Sequence, residues 1–211
     1  MSSTEQLIEQ LSRGVQPVKN ITSPFMLLIR WLGFSSLYLV CMLLVFRLRP
    51  DIGEKFSSIL FVSEVLFLAL VVITSSLSAI LLSFPDMCQK RWLVFAPIVP
   101  VILFVVTITL QYSSDNSPAP MPSEGISCLI CITMFSLFPA FLMFKLLRRQ
   151  ATTHYYATGF VSLLSATSIG AMTLRISENT DSILHLIKWH YMPILAFGII
   201  GLWLGKKIFK W

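Results

Sequence analysis

The stretch SILFVSEVLFLALVVITSSLSAILLSF, residues 58–84, decides the fold class of this chain. It holds one charged side chain, Glu64, and its apolar residues run on continuously instead of alternating with polar ones. An α-helix needs about 20 apolar residues to cross the ~30 Å hydrocarbon core of a bilayer. A membrane strand would be shorter and would alternate with period two. The stretch therefore predicts a membrane-spanning helix.

Five further apolar runs lie on either side of this stretch, at residues 25–46, 92–112, 126–147, 155–175 and 190–208. The whole chain of 211 residues is 55% hydrophobic and 12% charged, whereas soluble domains carry about 25% charged residues. This composition excludes intrinsic disorder, a disulfide-rich secreted scaffold and an ordinary soluble enzyme. It predicts an all-α integral membrane bundle of six transmembrane helices over residues 25–211, preceded by a cytoplasmic leader over residues 1–24 that forms a short helix.

The net charge of +6 has a topological interpretation. Its lysines and arginines stand in short clusters between the apolar runs, whereas nucleic-acid binding requires a basic stripe on one solvated face. Most of them fall on the side of the bilayer that holds both termini. Since basic loops stay in the cytoplasm, both termini are predicted to be cytoplasmic, and no direct nucleic-acid binding is expected.

The leader contains a pattern typical of a short amphipathic helix. Ser3 opens a capping box, and Pro17 cannot continue a helix. The apolar residues of one face are Leu7, Ile8, Leu11 and Val15. A helix of about ten residues is unstable alone in water, so this stripe needs a surface. That surface is either the membrane or bundle, or the groove of a cytoplasmic partner; the low Lys and Arg content favours the partner.

Glu64 is the one acidic residue inside an apolar run. Intramembrane ionisable residues are costly and are candidates for function. Three interpretations stay open: a carboxylate hydrogen-bonded to a neighbouring helix, a Glu–His pair with His185 or His190 that binds a proton or a metal, and the polar site of a small transporter.

Cys128 and Cys131 form a C-x-x-C pair at the start of the fourth run. They are either packing residues or thiols that sense oxidants or metals. Zinc would need a second ligand pair, and no pair has a matching spacing, so neither a metal site nor a cofactor is predicted. The chain also lacks H-E-x-x-H, G-x-S-x-G and P-loop motifs, so we predict no catalytic residues and no enzyme activity.

Small residues recur in the fifth and sixth runs. Gly201 and Gly205 form a G-x-x-x-G motif, and Gly159 and Gly170 stand in the preceding run. Small residues let membrane helices approach closely. We expect this pattern to serve packing within the chain and not a dimer interface.

An ordered set of weak motifs resembles the NrsF-type anti-sigma factors, which are six-helix inner-membrane proteins of bacteria. The motifs that carry the resemblance are Pro17-Val18-Lys19 in the leader, Arg47 to Asp51, Glu64, Arg91-Trp92, Cys128-Leu129, Leu146 to Arg149, Trp189-His190 and Lys207 to Trp211. The set covers nearly the whole chain.

The resemblance implies that the leader binds an extracytoplasmic-function sigma factor and keeps it from RNA polymerase until a stress signal releases it. The implied contact residues are Leu7, Ile8, Leu11, Pro17 and Val18. The implied location is the bacterial inner membrane, with the lipid bilayer as the second partner. The alternative from a different class is a small multi-pass transporter that uses Glu64 as its polar site.

The chain departs from this family at one cysteine. The family has one cysteine before the fourth run and one after the fifth; Cys128 matches the first, but Ser177 stands in the region of the second. Serine cannot form a disulfide, and Cys131 lies on the same helical turn as Cys128, which makes a strained pair. The sensing candidates are therefore Cys128, Cys131, Glu64 and His190.

Overall fold

The structure is a computed structural model that describes residues 3–13, 23–84, 92, 95–114, 125–150 and 152–210. This part of the chain is helical and contains no strand. Its helices are α1 (Ser3–Arg13), α2 (Pro24–Phe46), α3 (Ile52–Lys55), α4 (Ile59–Leu82), α5 (Ile98–Ser114), α6 (Gly125–Leu147), α7 (Tyr155–Ser177) and α8 (Ile183–Phe209). The predicted all-α class is confirmed.

Five helices, namely α2, α4, α6, α7 and α8, are long and apolar enough to cross a membrane. The prediction of six such helices is thus met only in part. The remaining apolar run forms α5, which has 17 residues, or about 25 Å at 1.5 Å per residue. Proline has no N–H to donate and is favoured where helices start. Pro97 stands immediately before α5 and accepts a hydrogen bond from Val101, so the helix begins later than the apolar run does.

Helix α7 lies at the centre of the bundle, with α4, α6 and α8 packed around it. Of the five long helices it has the lowest mean hydropathy, 1.4, yet 89% of its most apolar window is buried, against 17% for α2. Hydroxyl groups in a helix can donate to the carbonyl four residues earlier, which satisfies them without water. The α7 residues that do so are Thr158, Ser162, Thr167, Ser168 and Thr173. The least apolar of the five long helices is therefore also the most deeply buried one.

Glycines bring α7 and α8 into close contact. A Cβ at Gly159 would overlap the carbonyl oxygen of Gly201, and one at Gly205 would overlap the carbonyl oxygen of Tyr155. Backbones approach this closely only where side chains are absent. The G-x-x-x-G motif therefore packs within the chain, as predicted.

Helix α8 changes its hydrogen-bonding pattern near its start. Residues Leu186–Tyr191 are π-helical, between the α-helical turn Ile183–His185 and the long segment Met192–Phe209. In a π turn the backbone hydrogen bond joins residues that are five apart, so these two residues lie on the same side of the helix. An α-helix would place His185 and His190 about 140° apart. In this structure both imidazoles are buried on the bundle side of α8.

Candidate functional site

Polar side chains collect at the end of the bundle where α7 ends and α4, α6 and α8 begin, which we call the polar end. Two buried groups lie there side by side. The ion-pair cluster comprises Glu64, Arg175, Tyr191, Gln111, Asp181 and Arg49. The thiol–histidine cluster comprises Cys128, Glu178, His185 and His190.

Glu64 is fully buried and bonded to three other helices. Arg175 of α7 donates from Nε to its Oε1 over 2.7 Å. Tyr191 of α8 donates to the same oxygen, and Gln111 of α5 donates to Oε2 over 3.3 Å. Of the three interpretations of Glu64, the structure matches the carboxylate that is hydrogen-bonded to neighbouring helices. The charge is neutralised inside the bundle, where an unpaired carboxylate would be costly.

A second set of ion pairs extends this cluster to the segment between α2 and α4. The buried guanidinium of Arg49 binds Asp51 at 2.6 Å and Asp181 at 3.0 Å, and Lys55 lies 2.8 Å from Asp181. Burial raises the pKa of Asp181, but hydrogen bonds from Arg49 and Lys55 outweigh it and hold that pKa well below its usual range. The phenyl ring of Phe61 lies under both Arg49 and Arg175. These contacts tie the connection after α2 to the connection after α7.

The thiol–histidine cluster takes its members from three segments. Cys128 lies in the first turns of α6, Glu178 directly after α7, and His185 and His190 in the first part of α8. The Cys128 Sγ lies 3.3 Å from Nε2 of His185 and 3.5 Å from both carboxylate oxygens of Glu178. The Nε2 of His190 lies 3.2 Å from Oε2 of Glu178. One potential ligand atom from each residue falls within 4.8 Å of all the others.

This cluster differs from the ion-pair cluster in its unsatisfied polar atoms. Nδ1 of His185 and Nδ1 of His190 are buried without a hydrogen-bond partner in the described part of the chain, and Nε2 of His190 approaches Glu178 without the geometry of a hydrogen bond. Glu178 opens the cluster to the exterior, because its side chain is 25% exposed. Burial raises the pKa of Glu178, but interactions with His190 and Thr180 outweigh it and lower that pKa to about 2. Glu178 therefore presents a carboxylate anion to the two imidazoles and the thiol.

The structure brings together some of the predicted sensing residues and separates others. Cys128 and His190 share the thiol–histidine cluster, whereas Cys131 is outside it, half-buried against the apolar core. Glu64 belongs to the neighbouring cluster and bonds to Tyr191, the residue after His190. Among the described residues, Glu64 bonds to no histidine, and Glu178 is the carboxylate that lies against His190.

Sequence reasoning missed Glu178 altogether. It is the carboxylate that meets the histidines, and it directly follows Ser177, the position at which the resemblance leads one to expect a second cysteine. The search for a ligand pair with zinc-like spacing also failed, because the donors come from three segments. The sequence did offer one signal for Glu178. It is an acidic residue in the connection between α7 and α8, which also holds basic and histidine residues.

The leader residues are placed only in part. Leu7, Ile8 and Leu11 lie on α1 and are exposed by 56%, 61% and 65%. Val15, Pro17 and Val18 fall outside the described residues. The described part of the leader thus presents an uncovered apolar stripe.

The end of the bundle opposite the polar end carries a group of basic residues. They follow or close α6 and α8: Lys145, Arg148, Arg149, Lys206, Lys207 and Lys210. Arg148 and Lys210 line one shallow pocket there, so these two clusters meet in space. We call this the basic end.

A bundle of apolar, membrane-length helices is typical of multi-helix membrane proteins. The chain belongs to the family described as NrsF, negative regulator of sigma F, whose model matches residues 11–211. It is similar to the anti-sigma-F factor NrsF of Caulobacter vibrioides (strain NA1000 / CB15N), at 26% identity over 189 residues and 85% of each chain. No solved structure matches the chain. The family is regulatory, as the resemblance implied.

Proposed function

We propose that this chain is a membrane anti-sigma factor that sequesters an extracytoplasmic-function sigma factor through its leader and releases it on an envelope or periplasmic stress signal. Membership of the family supports the regulatory role. The proposed role of the leader in binding the sigma factor rests on the exposed apolar stripe of α1, which is formed by Leu7, Ile8 and Leu11.

The stripe has the size and form of a helix-in-groove ligand. Burying a leucine or isoleucine side chain contributes about 1.5–3 kcal/mol, so three of them provide a useful part of a binding free energy. The 11 residues of α1 form too short a helix to be stable by itself in water. A groove in the sigma factor would supply the missing surface and would hold the sigma factor at the membrane. Pro17 and Val18 are proposed to extend this contact.

The topology is part of the proposal. The basic end would face the cytoplasm together with both termini, in agreement with the positive-inside rule, and the polar end would face outward. Helix α5 would be the sixth span, because 17 residues is the lower limit for crossing. The membrane would be the bacterial inner membrane. This arrangement separates the leader from the polar end by the full thickness of the bilayer.

The polar end is the proposed site of signal input. Cys128, His190, Glu64 and Cys131 are the sensing candidates, the first two through the thiol–histidine cluster. The protein would act by sequestration, with no catalysis and no direct contact with nucleic acid.

The transporter alternative draws little support from the structure. It assigns Glu64 to a polar path, but this carboxylate is fully buried and bonded to Arg175, Tyr191 and Gln111. A carboxylate held by three partners has no oxygen directed to an open channel.

An affinity capture tests the proposal. Solubilised native membranes that contain the intact protein are mixed with the cytoplasmic fraction of the same cells, and the proteins recovered with it are identified. Leu7→Asp with Leu11→Asp should abolish recovery of a sigma factor, because charge on the stripe cannot enter an apolar groove. Gln6→Asp with Gln10→Asp is the matched control. It adds the same charges at the same spacing on exposed polar positions of α1, and recovery should persist. Failure to recover any sigma factor with the unchanged chain would refute the proposal.

A further inference from the structure

We propose that Cys128, Glu178, His185 and His190 form a binding site for a divalent transition-metal ion of the zinc type. This inference goes beyond sigma-factor sequestration and does not depend on it. It rests on the positions of four donor atoms, on their burial and on their chemistry.

The spacing of the donors fits a tetrahedral ion. Metal–ligand distances of about 2.0–2.3 Å place neighbouring donors of a zinc site about 3.3–3.7 Å apart. Cys128 Sγ lies 3.3 Å from His185 Nε2 and 3.5 Å from the oxygens of Glu178. The distance from His190 Nε2 to Glu178 Oε2 is 3.2 Å. His185 Nε2 and Glu178 Oε1 are 3.9 Å apart, and all four donors lie within 4.8 Å of one another, so the side chains would move inward to reach tetrahedral spacing around an ion.

Burial of these rings without partners points to a ligand. His185 and His190 are almost fully buried, and three of their four ring nitrogens lack a hydrogen bond in the described structure. An unsatisfied buried polar group costs about 1–3 kcal/mol, so an apolar residue would suit a purely structural role better. A bound ion would engage one nitrogen of each ring.

The donor set selects the class of ion. One thiolate, two imidazoles and one carboxylate suit Zn²⁺ and Co²⁺, whereas Ca²⁺ and Mg²⁺ prefer oxygen ligands. Cys128 would lose its thiol proton to solvent on binding. The thiolate and the Glu178 carboxylate then carry two negative charges, which balance the ion's two positive charges. A neutral complex is the form in which such a site can be buried.

The neighbouring cations do not compete for Glu178. Arg175 is held by Glu64 and Asp181, and Arg49 by Asp51 and Asp181. The part-exposed side chain of Glu178 gives an ion a path from the exterior. Once bound, the ion would join α6, the connection after α7 and the π-helical start of α8.

The experiment uses the full-length protein in detergent, stripped of metal and titrated with Co²⁺. One equivalent of Co²⁺ should give a thiolate-to-metal charge-transfer band together with the ligand-field bands of tetrahedral Co²⁺, and Zn²⁺ should remove both. No sigma factor is present, so the outcome is separate from that of the capture experiment. Absence of stoichiometric binding would overturn the proposal.

Single substitutions assign the ligands. Cys128→Ser should abolish the charge-transfer band, whereas Cys131→Ser, one turn away, should keep it. Glu178→Gln should weaken Zn²⁺ binding at least about 100-fold, beyond the usual 10–100-fold effect of an outer-shell residue. Glu178 lies on a part-exposed connection, so this variant provides the test even where a buried variant does not fold. A band that survives in Cys128→Ser, or Zn²⁺ affinity that is unchanged in Glu178→Gln, would contradict the site.

Discussion

The two buried clusters at the polar end lie one residue apart on α8 and solve the problem of buried polarity differently. In the ion-pair cluster, Tyr191 donates to Glu64, whose charge is matched by Arg175. In the thiol–histidine cluster, neither ring nitrogen of His190 makes a hydrogen bond of good geometry among the described residues, and Nε2 only approaches Glu178 to 3.2 Å. The polar groups of the ion-pair cluster satisfy one another and hold helices together, so we assign this cluster a structural role. The polar atoms of the thiol–histidine cluster need a ligand, so we assign it a binding role.

The largest expected effect comes from breaking the ion-pair cluster. Glu64→Ala leaves the Arg175 guanidinium buried without its counter-charge and should cost about 3–5 kcal/mol in the free energy of unfolding. Denaturant unfolding in detergent measures this loss. Replacing both residues, Glu64→Met with Arg175→Met, should recover most of it, because no unpaired charge remains. A single variant as stable as the unchanged protein would show that the pair is not structural.

The second effect separates the clusters through their response to metal. Zn²⁺ at about 100 times its Kd should raise the free energy of unfolding by about 2.7 kcal/mol. Glu178→Gln should abolish this gain, whereas Asp181→Asn, in the adjacent cluster, should keep it. Thermal unfolding with and without Zn²⁺ measures the gain for each variant. An equal loss of response in both would mean that the two clusters are one unit.

The third comparison uses adjacent aromatic residues of α8 in metal-free protein. Tyr191→Phe removes a hydrogen bond to a carboxylate and should cost about 1.5 kcal/mol. His190→Phe removes the 3.2 Å contact of Nε2 with Glu178, a part-exposed carboxylate that keeps its bond from Thr180, and should cost less than about 1 kcal/mol. The difference in unfolding free energy between these variants tests the contrast directly. A large loss in His190→Phe would indicate that the ring nitrogens have partners.

The smallest effect is expected at the edge of the ion-pair cluster. Lys55 and Asp181 are 31% and 44% exposed, so their ion pair lies in a screened environment. Lys55→Met should cost at most about 0.5 kcal/mol, and added salt should reduce the difference further. The free energy of unfolding of both proteins, measured at low and high ionic strength, checks this. A loss above about 2 kcal/mol in Lys55→Met would contradict the prediction.

Part of this structure was predictable from the types of residue in the chain and from the spacing of its apolar residues. The apolar runs predicted helices, the leader pattern predicted α1, and the small residues predicted close helix packing within the chain, which the structure shows between Gly159 of α7 and Gly201 of α8. These features depend on neighbours along the chain or on a single helix face. The thiol–histidine cluster depends on distant segments, so only Cys128, His185 and His190 were candidates, and Glu178 was not.

The sequence by itself determined that this chain is a bundle of apolar helices with an amphipathic leader, because hydrophobicity and its period act locally. Only the tertiary structure decided which helix is central, because this position depends on the packing of α4, α6 and α8 around α7. It also decided the pairing of Glu64 with Arg175, 111 positions apart. The π turn, which rotates His190 toward His185 and Glu178, forms in the packed bundle, and the α-helical period of the sequence does not reveal it.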